Sequence, residues 1–310
     1  MSFIPRVLSI AGTDPTGGAG IQADLKSIAA LGGYGMAVIT ALVAQNTMGV
    51  RSVHVPPANF LADQLAAVSD DVVIDAVKIG MLANVDTIST VGAWLERVRP
   101  PLVVLDPVMI ATSGDRLLDR NAEEAMRDVI RQVDLITPNV PELATLARES
   151  PAPSWAEVLE QAHAVSATLE ITVLAKGGHL GGDNAPDALV DASGGLSDGR
   201  TVIEFPGRRI DTTNTHGTGC SLSSALATLR PQLGGWEPTV QQAKSWLTES
   251  IQHGAELHVG RGHGPIHHLY GLWLRARPPA RAAPERRRRP PVTGDGEHGC
   301  PEPRGHEARA

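Results

Sequence analysis

Cysteine is nearly absent: the 310 residues hold only Cys220 and Cys300, one inside a glycine-rich motif and one in a Pro/Gly/Arg segment. This excludes a disulfide framework and leads us to expect a reducing, cytoplasmic compartment. Long apolar runs are missing too. No stretch approaches the roughly 18 uninterrupted apolar residues of a membrane span. Met1–Arg6 has no apolar core of a signal peptide, so the protein is expected to be soluble and unexported. Positive charge is scarce in the body of the chain. Of 27 basic residues, nine fall in the last 36 positions beside five acidic ones, so the first 274 residues carry 18 basic and 29 acidic groups. An acidic body of this kind argues against non-specific nucleic-acid binding. A small phosphorylated substrate remains open, because local amides and one lysine suffice to hold phosphate.

What is present is length and apolar content. With 42% hydrophobic residues the chain can bury a sizeable core in one large or two modest domains, which excludes a peptide, a coiled coil or a stapled miniprotein. Strand-length apolar runs alternate with helical periodicity: Val7 to Ala11, then a helix from about Ala19 to Leu31, then strands at Ala37 to Ala44, Ala76 to Ile79, Leu102 to Leu105, Leu135 to Thr137 and Ile171 to Ala175. This alternation predicts an α/β fold with a mostly parallel sheet. Asp106, Asn139 and Lys176 each follow such a strand and are expected to share one crevice beyond the carboxyl ends. Gly181 to Arg200, polar around Asp187–Asp191, reads as a hairpin or mobile flap at the sheet edge. From Arg275 on, large apolar residues almost vanish. We therefore expect one folded domain over 1–274 and a disordered tail over 275–310, with Arg286 to Arg289 read as a solvated run ahead of any RNA or membrane contact.

The loop Gly12-Thr-Asp-Pro-Thr-Gly-Gly-Ala-Gly20 contains two partial matches that fail. Gly12 and Gly17 have phosphate-loop spacing, but Gly18 and Ala19 stand where Lys and Ser/Thr are needed. Gly18, Gly20 and Ala23 match a dinucleotide fingerprint, but no acid lies between Lys26 and Arg51 to hold a ribose. What survives is backbone able to approach a small ligand at a helix start, with Gln22 and Asp24 on its first turns. The second motif, Asn214-Thr-His-Gly-Thr-Gly-Cys220, precedes a helical segment. Gly217 to Cys220 is expected to form its first turn, whose free amides suit the oxyanions of a phosphoryl group. Cys220 then lies beside the reacting atoms, where a helix N-terminus can lower a thiol pKa, as a proton acceptor or a substrate contact; a small buried cysteine in a tight turn is the equal alternative. Asp106 and Glu142 are candidate magnesium ligands through water, against simple capping for Glu142. Lys176, in Lys176-Gly-Gly-His179, is a compact charge for nucleotide phosphates.

Together these residues resemble the ribokinase-like clan, and within it the hydroxymethylpyrimidine/phosphomethylpyrimidine kinases of thiamine biosynthesis. The likeness runs from about Arg6 to Trp273 through Ala11–Lys26, Ala44-Gln-Asn-Thr47, Lys78-Ile-Gly-Met-Leu82, Asp106-Pro-Val-Met109, Lys176–His179 and Asn214–Cys220. Gly260-Arg-Gly-His-Gly-Pro-Ile-His-His268 is similar to the family's ending, which weakens a zinc reading of its histidines. The resemblance implies a three-layer α/β/α kinase, a homodimer, that uses ATP and Mg2+ to phosphorylate 4-amino-5-hydroxymethyl-2-methylpyrimidine and then its monophosphate. It implies Gln45 on the aminopyrimidine edge, Ala19, Val43, Met81 and Val108 around the ring, and Asp24 near the hydroxymethyl group. Lys176, Asn139 and Thr218 would hold nucleotide, with Gly217, Gly219, Cys220 and Lys176 at the transfer step. Many clan members have an aspartate at the position of Cys220, which leaves the general base unassigned. The competing readings are a pyridoxal/pyridoxine kinase, a non-catalytic nucleotide- or pyrimidine-binding regulator, and a nucleic-acid protein acting through the tail.

Overall fold

Why the strands are so apolar becomes clear from what covers them. In the computed structural model, which describes residues 3–109 and 122–276, nine strands form one sheet in the order β3-β2-β1-β4-β5-β6-β7-β8-β9. The strands are β1 (Arg6–Gly12), β2 (Tyr34–Asn46), β3 (Gly49–His54), β4 (Ala76–Ile79), β5 (Val103–Leu105), β6 (Leu135–Ile136), β7 (Thr172–Lys176), β8 (Asp187–Val190) and β9 (Val202–Phe205). From β2 across to β7 all neighbours are parallel; β3, β8 and β9 are antiparallel edges.

Helices cover both faces, so the parallel strands need apolar side chains on each. Leu8, Val77, Leu105, Ile136 and Val173 pack toward α2 (Ala58–Ser69), α3 (Val85–Val98), α4 (Glu123–Ile130), α5 (Val140–Ala147) and α6 (Trp155–Leu169). Their neighbours Val7, Ala76, Val104, Leu135 and Leu174 pack toward α1 (Gly20–Ala30), α7 (Thr218–Leu233) and α8 (Trp236–Gln252). This is the three-layer ribokinase-like arrangement. A short α9 (Tyr270–Ala276) ends the described chain, and Met1–Arg275 make one compact unit. The segment expected as a disordered tail lies outside the described residues beyond Ala276. Among the described residues no helix is long and apolar enough to cross a membrane.

Two expectations needed correction. β3 was not anticipated, because its side chains from Arg51 to His54 are all exposed and carry no core-facing alternation. The edge hairpin exists, but it pairs β8 with β9 and so extends past Arg200 to Phe205. Chain order reverses around β1, which lies between β2 and β4, and such a switch point opens a crevice at the carboxyl ends.

Candidate active site

One cavity of about 700 Å3 occupies that crevice. At one end Ala19, Val43, Gln45, Met81 and Val108 line it, and at the other Asn139, Gly207, Lys244, Leu247 and Thr248. Lys176, Asp106 and the segment Gly217–Cys220 lie between them in the same lining.

The first glycine loop is held by a buried carboxylate. Asp14 Oδ2 accepts from the amides of Gly18 (3.1 Å) and Ala19 (2.8 Å), and Oδ1 from the Thr16 amide (2.9 Å). The same Oδ2 meets His216 Nε2 at 2.7 Å, tying this loop to the second glycine motif. Burial alone would raise the Asp14 pKa, but these hydrogen bonds outweigh it and hold the carboxyl well below its usual range. Gly217 takes φ +80°, and a Cβ there would collide with the Gly18 carbonyl, so the two loops touch backbone to backbone.

That contact fixes where α7 starts. Hydrogen bonding of the α7 backbone opens with the Ser221 amide to the Gly217 carbonyl (2.9 Å), which leaves the Gly219 and Cys220 amides without a partner inside the helix. A Cβ built on Gly219 would lie 3.1 Å from Asp106 Oδ2 and 3.4 Å from Lys176 Nζ, so the helix start faces both charges at close range. Lys176 Nζ donates to Asp106 Oδ1 (3.1 Å), which also accepts from Thr137 Oγ1 (2.9 Å). Burial works against the Lys176 charge, yet Asp106 and Glu142 more than offset it and raise its pKa. Glu142 closes a reciprocal capping box with Asn139 at the start of α5. Burial pushes its carboxyl up to about 7, Lys176 pulling the other way and Asp106 adding to the rise. Asp106, Asn139 and Lys176 thus share one crevice, and Asn139 pairs with Lys176 as an isolated parallel bridge.

Two sequence expectations fail. The Cys220 thiol is not depressed: burial raises its pKa to about 11, and the opposing pull of Lys78 is too weak to reverse it. Asp24 is not at the ligand. It is wholly buried on the sheet side of α1, where both its oxygens meet Lys78 Nζ (2.9 and 2.8 Å) and it accepts from Ser9 Oγ (2.5 Å) and Ser224 Oγ (2.8 Å). Ala19, Val43, Gln45, Met81, Val108, Asn139, Thr218, Asp106 and Glu142 all line the cavity, as do Gly217, Gly219, Cys220 and Lys176. Sequence reading missed Asp14, His216 and Lys78, which lay inside the quoted motifs without a role, and Lys244, Leu247 and Thr248 on α8, for which no local signal exists.

A sequence model of the phosphomethylpyrimidine kinase family matches residues 14–267. Over 269 residues the chain is 50% identical to the hydroxymethylpyrimidine/phosphomethylpyrimidine kinase of Escherichia coli, covering 86% of this chain and 98% of that protein. It is 53% identical over 264 residues to the thiamine biosynthesis multifunctional protein ThiED of Corynebacterium glutamicum, covering 85% of this chain but 34% of that protein. The chain therefore spans about a third of the multifunctional relatives it matches. Among solved structures, phosphomethylpyrimidine kinase from Clostridium difficile superposes with TM-score 0.68 and 35% identity, covering 80% of this chain and 99% of that one. An ADP complex of Bacillus subtilis pyridoxal kinase gives TM-score 0.76 and 30% identity, covering 86% and 98%. A bipartite crevice with a helix start at its centre, carried by a sequence half identical to a full-length relative, places this chain in the phosphomethylpyrimidine kinase family.

Proposed function

We propose that the chain transfers the γ-phosphoryl group of ATP to the hydroxymethyl group of 4-amino-5-hydroxymethyl-2-methylpyrimidine, and then phosphorylates the monophosphate to the diphosphate in the same site. The observation that carries this reading is the start of α7, whose free amides and neighbouring Lys176 stand between the Gln45 end and the Lys244 end of one cavity.

At the first end Gln45 hydrogen-bonds the aminopyrimidine edge, and Ala19, Val43, Met81 and Val108 flank the ring. At the other, Asn139 and Thr218 contact the nucleotide, and Leu247 supplies an apolar wall for its base. Lys176 holds the phosphates as a point charge. The amides of Gly219 and Cys220, at the positive end of the α7 dipole, stabilise the equatorial oxygens in transit. Cys220 stays protonated at neutral pH, so its thiol is a contact to the reacting group and not its base. A loose transition state needs little base assistance, and the second acceptor, a phosphate monoester with a pKa of about 6, is already ionised. Asp106 and Glu142, two carboxyl groups beside Lys176, would hold a hydrated Mg2+ that, when bound, neutralises phosphate charge.

Catalysis is assigned to residues 1–274, with 275–310 an appendage, so deleting 275–310 is expected to leave turnover essentially unchanged. The protein is assigned to the cytoplasm as a homodimer. The deciding measurement is ADP released per molecule of limiting pyrimidine, with ATP and Mg2+ in excess and pyridoxal as control. Two ADP per pyrimidine is expected. One ADP would remove the second step, and turnover of pyridoxal alone would replace the substrate.

A further inference from the structure

The Gln45 end of the cavity is enclosed by a closed circuit of hydrogen bonds that joins four segments distant in sequence. β2 reaches the first glycine loop through the Val43 amide, which donates to Thr13 Oγ1 (3.0 Å). The next residue, Asp14, meets His216 as described, and the His216 amide donates to the Gly264 carbonyl (3.0 Å). From there the loop 260–264 returns to Thr47, in the turn just after β2. The amides of Arg261 and Gly262 both donate to Thr47 Oγ1 (3.1 and 3.2 Å), and the His263 amide donates to the Thr47 carbonyl (3.0 Å). Thr47 is 8% exposed and stands two residues from Gln45. It does not line the cavity itself.

We infer that Thr47 is a positioning residue: its hydroxyl closes the circuit and fixes Gln45, and hence the ring it holds, relative to the amides at the start of α7. This inference rests on the function proposed above. Its chemistry is specific, because one hydroxyl oxygen serves two backbone donors, a role that serine can fill and that valine, of equal shape, cannot. With the circuit opened, the pyrimidine end drifts against the phosphoryl end, and small misplacements of that kind weigh on turnover more than on binding. Lys244, Leu247 and Thr248 on α8, at the nucleotide end, make no hydrogen bond in this circuit.

The test is steady-state kinetics of Thr47→Val and Thr47→Ser in the full chain, with both substrates varied. Thr47→Val is expected to lower kcat on the pyrimidine about tenfold while KM for ATP stays within about twofold, and Thr47→Ser is expected to restore most of the loss. Equal kcat in Thr47→Val and the unaltered chain would overturn the inference, as would a serine variant no better than valine. Should Thr47→Val not fold, Gly262→Ala opens the same joint from the other side, since a Cβ there would collide with the Thr47 carbonyl. It must show the same fall in kcat at constant KM for ATP. The ADP yield of the unaltered chain, measured first, tests the proposed function separately.

Discussion

Replacing Asp24 by asparagine tests whether this carboxylate belongs to the core or to the substrate. Lys78 and Asp24 have side chains that are 0% exposed, and their closest oxygen and nitrogen lie 2.8 Å apart. At that distance the attraction is about 6 kcal/mol with an effective dielectric of about 20. Burial works against the Lys78 charge, yet Asp24, with Cys220 and Asp106 behind it, raises the Lys78 pKa above its ordinary value. Asparagine keeps the shape, loses the charge and offers one acceptor where Asp24 accepts from Lys78 twice, from Ser9 and from Ser224. Breaking a buried pair from one side costs about 3–5 kcal/mol, since it strands the other charge.

For a domain of this size about 1 kcal/mol moves the melting temperature by about 2–4 °C, so Asp24→Asn should melt about 6–20 °C lower in a calorimetric scan. Below that temperature its KM for the pyrimidine should match that of the unaltered chain. The double change Asp24→Leu with Lys78→Met removes both charges and should recover part of the loss, the remainder reflecting the stranded Ser9 and Ser224 hydroxyls. A melting temperature within about 2 °C of the unaltered chain, together with an about tenfold higher KM, would refute the reasoning and return Asp24 to the substrate site.

Lys176→Met removes the charge facing the start of α7 and should lower kcat by about 10²–10³ with the fold intact, as circular dichroism would check; a loss under about tenfold would leave Lys176 without a part in the transfer. With its pKa near 11, Cys220 should be alkylated slowly by iodoacetamide at neutral pH, the rate climbing about tenfold per pH unit up to that value, and a plateau near pH 8 would contradict the burial argument. His268, hydrogen-bonded to Ser221 Oγ at 2.9 Å, is pushed down to about 3 by burial, with Lys26, His267 and His216 adding to the shift. The unfolded chain therefore takes up this proton first, so the stability tied to neutral His268 is complete above pH 6.5 and drains as pH falls toward 3, at up to about 1.4 kcal/mol per unit. Urea midpoints between pH 7 and 4.5 should show that slope, and His268→Gln should flatten it; an unchanged slope would assign the effect to other groups.

The parallel strands were legible in the sequence because burial on both faces demands unbroken apolar runs. β3, wholly exposed from Arg51 to His54, had no such signature. Asp106, Asn139 and Lys176 were legible as a cluster because each ends a strand or opens the helix after one, and a parallel sheet brings such ends together. Asp24 was misplaced although its spacing held the answer: it lies three residues after Ile21 and four before Ile28, on the stripe that α1 buries. Its expected place near the hydroxymethyl group rested on the family resemblance, and that periodicity points the other way. The depressed thiol expected for Cys220 followed from the helix dipole alone. Desolvation, which depends on what packs above the helix start, acts in the opposite sense and raises the pKa.

What stayed hidden at the site is of one kind. Asp14 meets His216 across 202 residues, Ser224 meets Asp24 across 200, and Thr47 Oγ1 receives the Arg261 amide across 214. Each partner is a common polar residue whose local spacing gives no hint of the other. The sheet orders charges by strand ends, which sequence periodicity reveals. The backbone amides of the glycine loops are ordered by pairs that form only when the first fifty residues and the last sixty of the folded unit come together. The proposed transfer site is thus assembled from cross-links between the two ends of the folded unit; single substitutions at the Asp14–His216 and Thr47 links should disturb geometry at the start of α7 well before they disturb the sheet, whereas those at the Asp24–Ser224 link act on core stability.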